Sequence, residues 1–164
     1  MKHLDKIANI AIIVAVVVFL VVTVRANFGG NRLAPETSAA LIGTTVHLTE
    51  VHFPKDRSSL LLVVSTTCHF CKDSLPFYKQ LTEKSRGRMN VVAVLPQPQA
   101  EAMKFLQDAG VKPDQIVNAG PDAVGARGTP TVLLVDGNGK VNHAWAGRLD
   151  EKGQQSLLAF LPST

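Results

Sequence analysis

Hydrophobic residues along this chain occur in runs of different lengths, and the first run is the longest. Residues 7–24 contain no charge, glycine or proline. As a helix, these 18 residues would span roughly 27 Å, close to the ~30 Å apolar core of a bilayer. Soluble cores rarely hold so long an apolar run, so the sequence predicts a membrane-inserted helix.

Residues 1–26 fit either a retained anchor or a cleaved signal. The length favours an anchor, because the apolar regions of signal peptides run about 7 to 15 residues. In contrast, Val24, Arg25 and Ala26 have the small-residue spacing that a signal peptidase accepts. Positive residues flank both ends of the run, so the positive-inside rule supports a cytoplasmic N-terminus only weakly. Either outcome would usually carry the remaining chain across the membrane.

Beyond this segment, the pattern predicts a tether at 27–42 and one folded domain at 43–164. The tether lacks periodicity and contains glycine, proline and small residues. Strand-like patterns in the domain occur at 44–51, 60–65, 90–95, 115–118, 131–135 and 140–145. Helix-like patterns occur at 68–85, 97–109, 121–127 and 150–161. We therefore expect an α/β sandwich around a mixed sheet, parallel at its centre with an antiparallel edge.

Composition and charge exclude several functional classes. The chain has 164 residues and a net charge of +4, of which Lys2, Lys6, Arg25 and Asp5 account for +2. The remainder carries no basic stripe, which argues against a nucleic-acid partner. The only two cysteines, Cys68 and Cys71, exclude a disulfide framework and a four-cysteine zinc site.

The two cysteines lie between a predicted buried strand and a predicted helix. This CxxC spacing suits dithiol redox chemistry. A sulfur in the first turn faces the unsatisfied N–H groups and the positive end of the helix dipole, which both stabilise the reactive thiolate. We expect Cys68 to be exposed and nucleophilic, and Cys71, one turn later, to be the resolving thiol. A buried inert pair or half of a metal site are the alternatives, although no histidine has an obvious second-pair spacing.

From about residue 43 to its end, the chain resembles the thioredoxin fold. The resemblance rests on the strand at 60–65 followed by the CxxC pair, on Pro76 in the helix, on residues 125–131, and on the turn at 137–139 followed by Gly147. The predicted strand and helix at 90–109 resemble the insertion of the TlpA/ResA-like branch. The resemblance implies a membrane-anchored thiol-disulfide oxidoreductase (redoxin) that works in the periplasm or on the outer cell surface.

The resemblance also implies further site residues. Residues 125–131 resemble the cis-proline loop of the family, so the Thr129–Pro130 bond is expected to be cis and to lie beside the cysteines. The backbone of Thr129 would then pair with an extended segment of the partner protein. An ordinary trans turn before a strand is the alternative.

Several positions depart from the family pattern. Thr67 stands where the family usually has tryptophan, and Leu62 where classical thioredoxins bury an acid. Ser74 replaces a glutamate common in the branch, so the usual proton acceptor for the second thiol is missing. Asp73 and Glu101 are candidate substitutes, although the sequence favours a solvated surface carboxylate at each position.

The dipeptide between the cysteines, His69 and Phe70, is a candidate for redox tuning. A partly protonated imidazole would lower the pKa of the Cys68 thiol and raise the reduction potential. Phe70 adds apolar surface that suits a peptide-like partner. The alternative is that this dipeptide is only permissive packing.

We therefore expect an enzyme that exchanges its dithiol or disulfide with exported proteins, such as apocytochrome c or a copper-site protein, as a reductant. A membrane electron donor would supply the electrons, with no cofactor and no resident metal. A metal-handling module using Cys68 and Cys71 as ligands, or a thiol oxidase or isomerase, are the alternatives. Ser65 also fits peroxide-reducing relatives, but these have a proline where this chain has Leu61.

Overall fold

The computed structural model describes residues 12–20, 23 and 38–162. The chain divides into two compact units, residues 1–32 and 33–164. In the first unit, residues 12–20 are helical and their large apolar side chains are exposed. No helix within the described residues is long and apolar enough to cross a membrane. Apart from residues 12–20 and Thr23, the predicted anchor lies outside the described residues, as does the predicted tether up to residue 37.

The second unit is built on a mixed five-stranded sheet. Its strands are β1 (Ser59–Val63), β2 (Asn90–Leu95), β3 (Gln115–Asn118), β4 (Thr131–Val135) and β5 (Val141–Ala146). Their order is β3-β2-β1-β4-β5. The pairs β1–β2 and β2–β3 are parallel, whereas β1–β4 and β4–β5 are antiparallel. The mixed α/β sheet is confirmed, but its parallel pairs lie on one side of β1 rather than at the centre of the sheet.

Three helices cross over or flank this sheet: α1 (His69–Ser85), α2 (Gln99–Asp108) and α3 (Glu151–Leu158). Parallel strands need long crossover connections, and α1 and α2 supply them between β1, β2 and β3. The helix predicted at 121–127 is a shorter 3₁₀ turn, Pro121–Val124. It begins with a proline and ends at Gly125, whose φ of 72° lies in the left-handed region that favours glycine.

The strand predicted at 44–51 is wrong. Within this segment, Thr45 pairs with Lys140 only as an isolated bridge. The segment instead follows the β4–β5 hairpin, where the N–H of Val46 donates to Gly139 O at 2.8 Å. Its alternating pattern arises because Val46 and Leu48 are buried in the core without a strand partner beside them. A segment can therefore bury alternate side chains without being a strand of the sheet.

Side chains on the two faces of the sheet form two separate cores. Leu60 and Leu62 of β1 pack on the face that α1 covers, whereas Leu61 and Val63 pack on the opposite face. Successive residues of a strand point to opposite faces, so a strand buried on both sides needs a continuous apolar run. This double burial fixes the carboxyl end of β1, from which the chain leads directly to Cys68.

Candidate active site around Cys68 and Cys71

Cys68 is the residue that caps the N-terminus of α1. Its Sγ accepts a hydrogen bond from the N–H of Cys71 at 3.1 Å. A side-chain oxygen usually performs this capping role, satisfying one of the free N–H groups of the first helical turn. The sulfur therefore lies at the positive end of the helix dipole. Both features stabilise a thiolate at this position.

The two cysteines form a disulfide, and they differ in exposure. Their Cα atoms are 5.2 Å apart. Cys68 is half-buried, whereas Cys71 is fully buried on the core face of α1. A partner protein can therefore reach the first sulfur but not the second. The attacking role of Cys68 and the resolving role of Cys71 stay predictions, and this difference in access is what those roles require.

The loop before β4 lies against the disulfide. The Thr129–Pro130 peptide bond is cis, as the family resemblance implies. Thr129 O is 3.4 Å from Cys68 Sγ. The N–H of Gly147 donates to Pro130 O at 2.7 Å, which attaches this loop to the end of β5. The loop is therefore placed beside the reactive sulfur, while the role of Thr129 in binding a partner stays a prediction.

An ionic cluster of His69, Asp73 and Arg148 lies on the α1 side of Cys68. Asp73 Oδ2 is 3.6 Å from His69 Nε2 and accepts a hydrogen bond from Arg148 Nη1 at 3.2 Å. The side chain of His69 is 82% exposed. The ring of Phe70 packs edge-on against that of His69, and Phe70 is 41% exposed. The predicted tuning residues thus form a solvent-facing surface, and their effect on the redox potential stays a prediction.

The acceptor for the proton of Cys71 is not evident among the two carboxylates considered from the sequence. Asp73 is engaged by Arg148, and Glu101 accepts a hydrogen bond from the Thr66 hydroxyl. Glu101 lies in the first turn of α2 and is exposed. Both carboxylates therefore bind other groups at the surface, while Cys71 is in the core.

The buried polar groups on the same face of α1 as Cys71 are hydroxyls. Ser74 is buried one turn after Cys71, and its Oγ donates to Phe70 O at 2.8 Å. Tyr78, one turn further, is hydrogen-bonded to the Ser74 side chain. Burial raises the pKa of Tyr78 well above its ordinary value, with the Ser74 bond opposing this rise, so Tyr78 stays a neutral hydroxyl at physiological pH.

Within the described residues, no group of three or more His, Cys, Asp or Glu could hold a metal ion.

Sequence reasoning missed a loop network formed by Ser65, Thr66, Thr67 and Gln97. Gln97 Oε1 accepts from the N–H of Thr66 at 3.3 Å, and Gln97 Nε2 donates to Ser65 Oγ at 2.9 Å. Ser65 Oγ also lies 3.0 Å from Thr67 Oγ1. The available signal was positional, because a polar residue just beyond a parallel strand lies at the edge where functional groups collect. Arg148 was likewise missed.

Comparison with known proteins identifies the family. The Redoxin family model matches residues 29–161. Among solved structures, a protein assigned as the thiol:disulfide interchange protein DsbE from Chlorobium tepidum is 26% identical, over 64% of this chain and 77% of that one, with a TM-score of 0.54.

More distant structures share the fold. DsbF from MTB, solved in mixed oxidized and reduced forms, is 19% identical over 73% of this chain and 80% of that one, with a TM-score of 0.52. StoA from Bacillus subtilis is 16% identical over 63% of this chain and 81% of that one, with a TM-score of 0.51. No curated protein gives a significant match. Since the family model spans nearly the whole folded unit and both redox cysteines, the chain belongs to the Redoxin family and is a thioredoxin-fold thiol-disulfide oxidoreductase.

Proposed function

We propose that this chain is a membrane-tethered reductant that exchanges thiols with exported proteins outside the cytoplasm. The observation that carries the proposal is the pairing of a reachable Cys68 at the N-terminus of α1 with a fully buried Cys71. The apolar run at 7–24 supports the tether. The described part of that run, 12–20, is helical and exposes its large apolar side chains.

The reaction has two steps. The Cys68 thiolate attacks a disulfide of the partner, forms a mixed disulfide and releases one partner thiolate. The Cys71 thiolate then attacks Cys68 Sγ, restores the Cys68–Cys71 disulfide and releases the second partner thiolate. Two electrons pass to the partner, whose two thiolates take up two protons. In this direction of electron flow, the Cys68–Cys71 disulfide is the product of one turnover.

A reductant of this kind needs its dithiol restored after each turnover. We assign that role to a membrane electron donor, which would deliver two electrons to the Cys68–Cys71 disulfide. The exported partners would be proteins whose cysteines must be reduced before they bind haem or copper, such as apocytochrome c or a copper-site protein. The likeness to the DsbE protein supports thiol–disulfide interchange as the reaction class, and the choice of a reductant follows the family resemblance.

The direction of electron flow is tested by the reduction potential of the full-length chain in detergent micelles. The Cys68–Cys71 couple would be equilibrated with glutathione or dithiothreitol buffers and quantified by alkylation. A potential near about −270 mV or lower supports a reductant, whereas a value near about −120 mV indicates an oxidant or isomerase. If no reversible disulfide forms, stoichiometric zinc or copper binding should be measured instead, as a direct test of the metal-handling alternative.

The location is tested by labelling a single exposed thiol. In a Cys71→Ala variant, Cys68 remains free and can react with a membrane-impermeant maleimide in intact protoplasts. We expect labelling before lysis, and retention in the membrane fraction that is lost when residues 1–26 are deleted. Labelling that needs lysis would place the folded unit in the cytoplasm and contradict the proposal.

A further inference from the structure

The segment that delivers Cys68 to its position is held by side chains. The strand β1 ends at Val63, and α1 begins at His69. Between them, the N–H of Thr66 donates to Gln97 Oε1 and that of Thr67 donates to Ser65 Oγ. Two backbone bonds contribute as well: the N–H of Val64 donates to Val94 O at 3.0 Å, and the N–H of Cys68 donates to Ser65 O at 3.2 Å, which closes the turn. The course of this turn therefore depends on the loop network.

Gln97 uses both ends of its amide in this network. Its oxygen must face the Thr66 N–H, which can only donate, and this leaves its NH₂ group to donate to Ser65 Oγ at 2.9 Å. Ser65 is almost fully buried, and Gln97 is half-buried. Part-buried hydrogen bonds of this kind compete less with water than exposed ones. The amide thus bridges two points of the turn that leads to Cys68.

Gln97 is itself held by a rigid part of the sheet. It lies just beyond β2, and the side-chain NH₂ of Asn118, the last residue of β3, donates to Gln97 O. Asn118 is paired in register with Leu95 at the parallel β2–β3 ladder. A group supported by two packed strands can hold a neighbouring loop in one position, which is what positioning a reactive atom requires.

We propose that Gln97 is a positioning residue for Cys68. It acts through Ser65 and Thr66, and it fixes the turn so that Cys68 Sγ stays beside the Cys71 N–H and Thr129 O. The consequence is a higher effective concentration of Cys68 toward Cys71, and hence a more stable disulfide, and a better alignment toward a partner disulfide. The proposal rests on the thiol–disulfide chemistry of this site and is independent of the membrane tether.

The test compares Gln97→Met, Gln97→Glu and Gln107→Met in the full-length chain. Methionine has a similar length but neither hydrogen bond, whereas glutamate can still accept from the Thr66 N–H and from the Ser65 hydroxyl. Gln107, exposed on α2, is the matched control. Two readouts are the equilibrium constant for disulfide formation against glutathione and the rate of reduction of a small aromatic disulfide probe. Thermal unfolding shows that each variant is folded.

We expect Gln97→Met to lower the equilibrium constant and the exchange rate by roughly 10-fold. Gln97→Glu should keep both the equilibrium constant and the exchange rate close to their wild-type values, and Gln107→Met should match the wild type in both. A folded Gln97→Met variant with wild-type values for both would overturn the proposal. If the wild type itself formed no reversible disulfide, the oxidoreductase assignment would fail first, so the two failures are distinguishable.

A double-mutant cycle between Gln97→Ala and Ser65→Ala provides a second route, should Gln97→Met fold poorly. Ser65→Ala removes the acceptor of the Gln97 amide while leaving the Thr66 bond in place. Each substitution alone should lower the equilibrium constant by some factor. If Gln97 acts through this turn, the double mutant should lower it by clearly less than the two factors multiplied together. Independent, multiplying effects would mean that Gln97 does not act through Ser65, and would overturn the proposal.

Discussion

The loop network holds the turn that precedes Cys68, whereas the ionic cluster lies along and beside α1, which follows Cys68. The four residues of the loop network are uncharged, and the central one, Ser65, is only 8% exposed. In the ionic cluster, the side chains of His69, Asp73 and Arg148 are 82%, 32% and 58% exposed. Water and salt screen exposed charges, whereas they leave part-buried neutral hydrogen bonds largely intact. We therefore expect the loop network to fix the position of Cys68 and the ionic cluster to tune its charge weakly.

The largest expected effect comes from removing the sulfur on which both regions act. Cys68→Ala should reduce disulfide exchange to the uncatalysed background, because no other described thiol is exposed to a partner. Reduction of an aromatic disulfide probe by the reduced protein measures this rate. Cys71→Ala is the matched control, and it should still form one equivalent of mixed disulfide without releasing the partner. If the Cys68→Ala variant kept the wild-type rate, Cys68 would not be the reacting thiol, and neither region could act through it.

The second effect is on stability and separates the two regions directly. Gln97→Met removes two part-buried hydrogen bonds, so we expect the free energy of unfolding to fall by about 1–2 kcal/mol. Urea denaturation measures this change. The exposed control Gln107→Met should change it by less than about 0.5 kcal/mol. Equal losses for both variants would mean that the loop network is no better formed than the exposed face of α2.

The fold was predictable from sequence where burial dictates the pattern. β2, β3 and β4 have the predicted bounds, because a strand buried on both faces, as β2 and β4 are, is a continuous apolar run. The segment 44–51 misled the prediction because alternate burial along a hairpin produces the same pattern as a half-buried strand. The pattern also could not show on which side of β1 the antiparallel pairs lie, since pairing partners are far apart in sequence.

The candidate site divides in the same way. The sequence predicts three site residues, Cys68, Cys71 and Pro130, because each belongs to a contiguous motif. The contacts of Gln97 with Ser65 and of Arg148 with Asp73 join residues 32 and 75 positions apart, which no local pattern encodes. A single polar residue after a strand suggests a position at the sheet edge but not the partner it will contact. Tertiary structure was needed to find both supports of the active-site cysteine.

A smaller effect, on the reactivity of Cys68, should depend on salt for the ionic cluster but not for the loop network. Asp73→Asn removes a negative charge near the start of α1 and leaves Arg148 without its carboxylate partner, so a thiolate at Cys68 becomes more favourable. In a Cys71→Ala background, we expect alkylation of Cys68 near neutral pH to be about two to three times faster at low salt. The difference should vanish at 1 M NaCl, where the Debye length is about 3 Å. The Gln97→Met effect on exchange should persist there. An Asp73→Asn effect that survives high salt would instead indicate a positional role.

The smallest expected effect is the stability that the Asp73–Arg148 pair provides. A double-mutant cycle with Asp73→Asn and Arg148→Met, followed by urea denaturation, should give a coupling of about 0.3–1 kcal/mol, within the range of exposed ion pairs. Lys104 and Asp108, paired at 2.9 Å within α2 and 77% and 65% exposed, form the matched control. That pair lies within one helix, so its expected coupling is about 0.3–0.5 kcal/mol. The Asp73–Arg148 pair joins α1 to the segment after β5, and its coupling should therefore equal or slightly exceed that of the control. A coupling above about 2 kcal/mol would exceed what screened surface charges provide, and the ionic cluster would then hold the active site in place as firmly as the loop network does.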